Sequence, residues 1–195
     1  MKNTLENLSK AFIGESMARN RYSFYASTAR KEGYEQIAEI FETTAMNEME
    51  HAEWLMKMIN QLKEKSGSDI SEIKIAEAGV PNVWSTTRDN LKAAIAGETY
   101  EYTTMYPEFA KTARAEGLKD VAGRLESIAK AETHHEQRYT KLLKEIEAGT
   151  VFKKKEPVWW FCRKCGYMHF GTEPPLRCPA CDHERSYYQV MSEDY

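Results

Sequence analysis

Cysteine is missing from the first 161 residues of this 195-residue chain; all four cysteines lie between 162 and 181. A secreted domain held by disulfides spreads its cysteines through the fold, so that class is excluded. Long apolar runs are missing as well. No stretch approaches the ~20 residues that a membrane-spanning helix needs. The start, Met1-Lys2-Asn3-Thr4-Leu5-Glu6, lacks the apolar centre of a secretory leader, and Glu6 and Glu15 argue against a transit peptide. Basic surplus is absent too: 27 Lys and Arg stand against 30 Asp and Glu, for a formal net charge of -3. Neither nucleic acid nor an anionic membrane is therefore an expected partner. What remains is a cytoplasmic globular protein, 42% hydrophobic and 29% charged, long enough for a core and a small appendage.

What is present is, first, helical periodicity. Residues 4 to 63 read as helix with one interruption, at Glu32-Gly33-Tyr34. Ile37, Ile40, Phe41, Thr44, Glu48, His51, Leu55, Met58, Ile59 and Leu62 recur at three- and four-residue spacing and define one stripe. Glu48 and His51 do not belong on a plain apolar face. The second half of the chain repeats the first. A shift of 84 carries Thr28-Ala29-Arg30 onto Thr112-Ala113-Arg114, Glu32-Gly33 onto Glu116-Gly117, Glu48 onto Glu132 and His51 onto His135. Nearer the start of each half the shift is 83, carrying Gly14-Glu15 onto Gly97-Glu98. Two helical hairpins, each turned at a glycine, make four helices.

Residues 65 to 85, with Gly67, Ser68, Gly79 and Pro81, are too irregular for one helix, and Ser85 or Thr86 with Asp89 supplies the next capping signal. A single crossover of this length fits a ferritin-like bundle. The expected fold class is mainly α: a ferritin-like four-helix bundle over 1–149, a polar linker over 150–156 and a small metal domain over 157–195. The last segment is shorter than the ~40 residues below which a chain usually needs a metal or disulfides to fold.

The four helices carry Glu15; Glu48 with His51; Glu98 with Glu101; and Glu132 with His135. Residues three apart share a helix face. Glu-x-x-His on two helices, with a Glu from each of the other two, is the ligand set of di-iron and di-manganese carboxylate bundles. Hard divalent ions need oxygen donors to offset and bridge their charge, while imidazole supplies a firmer terminal ligand. In a chain with 30 acids a lone Glu-x-x-His would be a surface feature; two related by an internal repeat are not. Glu101 breaks the symmetry, since its counterpart is Ala18. The change of shift implies one extra residue between Glu98 and Tyr106, predicting a π-bulge between 98 and 107, with Pro107 beyond it. Tyr22 and Tyr106, related by the shift of 84, read either as hydrogen-bond partners of metal ligands or of a molecule bound beside them, or as buried tyrosines with satisfied hydroxyls. The nine methionines read as core filler.

Cys162-x-x-Cys165 and Cys178-x-x-Cys181, twelve residues apart, can present four thiolates to one ion. Taken alone, such a tail suits iron and zinc equally. Trp159, Trp160, Phe161, Tyr167, Phe170, Tyr187 and Tyr188 are the expected small core around it.

Gly14-Glu15-Ser16, Glu48-Met49-Glu50-His51, Gly97-Glu98-Thr99-Tyr100-Glu101 and Glu132-Thr133-His134-His135 together resemble the motifs of the rubrerythrin family. Cys162-Arg163-Lys164-Cys165-Gly166-Tyr167 through Cys178-Pro179-Ala180-Cys181 resembles a rubredoxin domain. The likeness covers essentially the whole chain. It implies reduction of hydrogen peroxide to water in oxidative-stress defence, with two irons in the bundle and one in the tail. It also implies an upstream electron-donor protein or reductase, and at least a homodimer in which the tail of one chain approaches the bundle of the other. By the same resemblance Glu48 and Glu132 bridge the irons, Glu15 and Glu98 are terminal ligands, and His135 holds one iron. Glu101 and His51 exchange on the other. A ferritin-like ferroxidase shares the bundle ligands and is the main alternative; a binding module with a zinc-ribbon tail is the third reading.

Overall fold

The computed structural model describes residues 1–76 and 79–193. Glu77 and Ala78 of the expected crossover, and Asp194 and Tyr195 of the expected tail domain, lie outside the described residues. Helix α1 spans Lys2–Lys31, α2 Glu35–Ser66, α3 Thr87–Tyr100, α4 Tyr106–Ala115 and α5 Lys119–Glu147. A five-residue π-helical turn, Glu101–Met105, joins α3 to α4 in one rod, so the bundle has four members. The Tyr106 N–H donates to the Glu101 carbonyl five residues back, which is how the helix absorbs the extra residue inferred from the change of repeat.

Both hairpins turn by the same device. The N–H groups of Gly33 and Tyr34 close on the carbonyls of Arg30 and Ala29, and those of Gly117 and Leu118 close on Arg114 and Ala113. Gly33 (φ +82°) and Gly117 (φ +79°) take the left-handed conformation that this cap requires. The glutamates before them then reach across to the opposite hairpin. Glu116 accepts from the Thr4 N–H (3.0 Å) and hydroxyl (2.6 Å) at the start of α1, and Glu32 accepts from the Thr87 N–H (3.0 Å) at the start of α3. Each carboxylate thus covers free donors, and the positive end of the dipole, on a helix of the other half. Thr86 caps α3 by accepting from the Asp89 N–H at 3.2 Å.

The bundle interior has three layers. Leu8, Leu55, Met58, Leu62, Tyr106, Leu125 and Ile128 belong to one apolar cluster. Tyr22, Tyr25, Ile37, Phe41, Leu91 and Tyr139 belong to another. Along every helix the acidic ligand candidates fall between the two clusters, so apolar packing on both sides shields a polar layer from water.

In the tail, β1 (Val158–Cys162) lies between β2 (Met168–Gly171) and β3 (Tyr188–Val190) in an antiparallel sheet. Strand alternation turns Trp160 and Cys162 inward, where they pack with Cys178 and Tyr188. The same alternation corrects the expected core. Trp159 and Phe170 are 50% and 56% exposed and lie against each other across β1 and β2, their rings tilted by 49° with centroids 5.1 Å apart. The tail rests on the α1–α2 turn: Arg163 pairs with Glu39 of α2, and a side chain at Gly33 would meet Ser186. Among the described residues, no helix is long and apolar enough to cross a membrane.

Candidate metal centre

In the polar layer α2 contributes Glu48 and His51, α5 contributes Glu132 and His135, and α1 and α3 contribute Glu15 and Glu98. All four glutamates are fully buried. His51 Nδ1 lies 3.0 Å from Glu48 Oε2, 3.0 Å from Glu132 Oε1 and 3.8 Å from Glu15 Oε2. His135 Nδ1 lies 3.2 Å from Glu48 Oε1, 2.8 Å from Glu132 Oε2 and 3.5 Å from Glu98 Oε2. Glu48 and Glu132 therefore each turn one oxygen toward either imidazole. Two four-residue sets result, Glu15-Glu48-His51-Glu132 and Glu48-Glu98-Glu132-His135, with the donor atoms of each within 4.8 Å of one another. Their shared members are Glu48 and Glu132.

These donors fit a pair of cations and little else. Both oxygens of Glu132, Glu48 Oε1, Glu15 Oε2, Glu98 Oε2 and His135 Nδ1 are buried with no hydrogen bond of ordinary geometry, all at the same place. Buried polar atoms in that number are costly unless a charge satisfies them. Burial drives the Glu15 carboxyl well above its ordinary range and that of Glu98 up to about 8. Burial also opposes charge on Glu48, but the imidazoles of His135 and His51 beside it outweigh that and bring it down to about 2. Both imidazoles move upward, His135 to about 12: burial resists, and the surrounding glutamates prevail. Divalent cations among these groups would supply the positive charge that buried carboxylates call for.

The tyrosines cross between the hairpins. Tyr22 donates to Glu98 Oε1 at 2.5 Å, and Tyr106 donates to Glu15 Oε1. Both hydroxyls are thus satisfied by buried carboxylates of the opposite hairpin, an arrangement common to the two readings of these residues. Glu101 is buried in the π-turn but belongs to neither four-residue set. Burial and the neighbouring acids, Glu15 and Glu98 first, push its carboxyl well above the ordinary range. Sequence reasoning passed over Tyr139, a fully buried residue whose ring meets that of Tyr22 edge-on at 5.5 Å. Its place four residues after His135, on the same face, was the available signal.

The tail brings its four cysteines together. Cys162 and Cys181 Sγ are 3.8 Å apart, and Cys165 and Cys178 Sγ are 3.6 Å apart. A disulfide would need about 2.05 Å, whereas four sulfurs about 2.3 Å from a central ion stand about 3.8 Å apart. Burial disfavours charge on Cys178, yet the Tyr188 hydroxyl and the N–H groups of Ala180 and Cys181 bring its thiol down to about 6. The Tyr167 N–H favours a thiolate at Cys165, but the other three sulfurs push it up to about 12. Four thiolates at this spacing need a cation.

A model of the rubrerythrin family matches residues 6–143, and one described as the rubrerythrin rubredoxin-like domain matches residues 160–189. The chain is 58% identical to a putative rubrerythrin of Methanocaldococcus jannaschii, covering all of this chain and 96% of that one. It is 48% identical to rubrerythrin-1 of Clostridium acetobutylicum, over 98% and 96% of the two chains. Among solved structures, nigerythrin in its mixed-valence state aligns with a TM-score of 0.64 at 31% identity, over 96% of this chain and 86% of that one. Two Glu/His sets with common carboxylates, four converging cysteines and full-length likeness agree, and this chain belongs to the rubrerythrin family.

Proposed function

We propose that this chain reduces hydrogen peroxide to two waters at a di-iron site in the bundle, with electrons relayed singly through a mononuclear iron at the four cysteines. The observation that carries the reading is the pair of buried Glu/His sets sharing Glu48 and Glu132, on the same chain as a four-thiolate site. Two ferrous ions would supply one electron each and act as Lewis acids, matching the two electrons that peroxide takes up along with two protons from solvent. Nigerythrin, described in an all-ferrous state at 30% identity, supports iron as the metal.

The residues then divide the work. Glu48 and Glu132 would bridge, Glu15 and Glu98 would close the two ends, and His135 would hold one position. His51 and Glu101 would alternate at the other. Tyr22 and Tyr106 hold Glu98 and Glu15 by hydrogen bonds, which orients these carboxylates and keeps their outer oxygens satisfied. The apolar clusters on either side exclude bulk water. His51 is 14% exposed, whereas the four glutamates of the two sets are fully buried, so a small uncharged oxidant would enter on the His51 side. An upstream donor protein would reload the tail. The tail of the same chain sits near Glu39, nine residues of α2 or about 14 Å of helix from Glu48. Delivery from the tail of a second chain in a homodimer is part of the proposal.

The test is rapid mixing of anaerobically reduced protein with a small excess of hydrogen peroxide, following the visible absorption of the tail iron. Fast stoichiometric reoxidation that disappears in Glu48→Ala or Glu132→Ala supports the reading. A slow response to peroxide, beside rapid consumption of ferrous ion and dioxygen, would replace it with a ferroxidase. A colourless, zinc-loaded tail would favour a binding module.

A further inference from the structure

Four residues form the buried heart of the tail: Trp160, Cys162, Cys178 and Tyr188. Trp160 satisfies its indole N–H on the Gly171 carbonyl at 2.9 Å. The two cysteines face the metal position. Tyr188 is left over: it is 1% exposed, and its hydroxyl makes no hydrogen bond of ordinary geometry among the described residues. A buried hydroxyl without an acceptor is destabilising, so its persistence in so small a core calls for a partner. The β1–β3 register sets Tyr188 directly opposite Cys162, with Cys178 in the same packed cluster.

We propose that Tyr188 tunes the four-cysteine site, its hydroxyl donating to Cys178 Sγ once that sulfur is a metal-bound thiolate, and that it raises the reduction potential of the tail iron. The inference rests on the iron reading given above. The ferrous form of a four-thiolate site carries one more negative charge than the ferric form. A donor aimed at one sulfur therefore stabilises the reduced state more, because hydrogen bonds to an ionised acceptor strengthen with its charge. Tyr188 touches no substrate and acts only through Cys178, so it is a positioning residue. In function it would make the tail easier to load with an electron and slower to lose it to a weak acceptor.

The experiment is a spectroelectrochemical titration of the visible absorption of the tail in the iron-loaded, full-length chain and in Tyr188→Phe, which keeps the ring and removes the donor. The expected result is a lower potential in Tyr188→Phe, equivalent to about a tenfold change in the ferric-to-ferrous equilibrium, or about 59 mV for one electron. An unchanged or higher potential overturns the proposal. Should Tyr188→Phe fail to fold, the wild-type chain labelled with fluorotyrosine, whose hydroxyls are stronger donors, replaces it; the expected shift is upward, and no shift overturns the proposal. A tail that takes up only zinc overturns both this inference and the proposed function. An iron tail of the expected potentials beside a peroxide-inert bundle overturns the function alone.

Discussion

Glu101 and Glu116 show how much a single carboxylate does when its surroundings differ. Glu101 stands where the first half of the chain has Ala18, itself packed in an apolar cluster. Nothing in the helix packing asks for an acid there, and burial works against its charge. Under the proposed exchange with His51, Glu101→Ala should slow peroxide turnover about 10- to 100-fold while the visible absorption of the tail iron is retained. Unchanged stopped-flow rates would remove the role. Glu116 acts on stability instead. The N-terminal ammonium of Met1 and the donors of Thr4 and Asn3 hold its carboxyl down at about 2. A carboxyl whose folded pKa lies below its unfolded value stabilises the fold above the unfolded value, near 4.5, and loses that contribution as pH falls toward 2. Glu116→Ala should therefore cost about 1 kcal/mol near neutral pH, as a lost helix cap does. Denaturant titrations of wild type and variant should converge between pH 4.5 and 2; a gap independent of pH would contradict this account.

Among the elements, the π-turn Glu101–Met105 sets the registry of the site. Glu98 before it follows the 83-residue repeat and Tyr106 after it follows 84, so the turn lets Tyr106 reach Glu15 while Glu98 still meets Tyr22. Removing one exposed residue from it, Thr103, would restore a regular helix. It would also rotate one side of the rod about 100° against the other. The expected outcome is helicity close to wild type by circular dichroism, with bound metal in the bundle reduced from two ions. Two ions retained in that deletion would show that the turn is incidental to the site. The glutamate caps were half visible in advance: the Glu32/Glu116 pair stood out as a repeat, but its partners Thr87 and Thr4 lie 55 and 112 residues away. Helix spacing says nothing about contacts across such separations.

For the molecule as a whole, bundle and tail differ in what holds them together. The bundle buries two apolar clusters, whereas among the described residues of the tail only Trp160, Cys162, Pro174, Cys178 and Tyr188 are fully inside. Replacing Cys162 and Cys165 by Ser should unfold the tail and leave the bundle intact. Limited trypsin digestion should then cut through the tail from Lys153-Lys154-Lys155 onward, leaving a protected helical fragment. A tail that resists trypsin in this variant would mean that its apolar packing suffices without metal.

Local spacing carried much of this protein in plain view. Helix faces, the doubled Glu-x-x-His, the glycine-turned hairpins, the extra residue of the third helix and the paired cysteine knuckles are relations between residues close in sequence or related by a fixed repeat. Backbone geometry alone converts them into structure. The tertiary fold decided the rest. It turned one oxygen of Glu48 and of Glu132 toward each imidazole, left Glu101 outside both sets, and spent the Tyr22 and Tyr106 hydroxyls on carboxylates of the opposite hairpin. It also exposed Trp159 and Phe170 and sealed Tyr188 beside Cys178. Each of these depends on which surfaces meet and how deeply they are buried, and burial is a property of the packed molecule rather than of any segment of it.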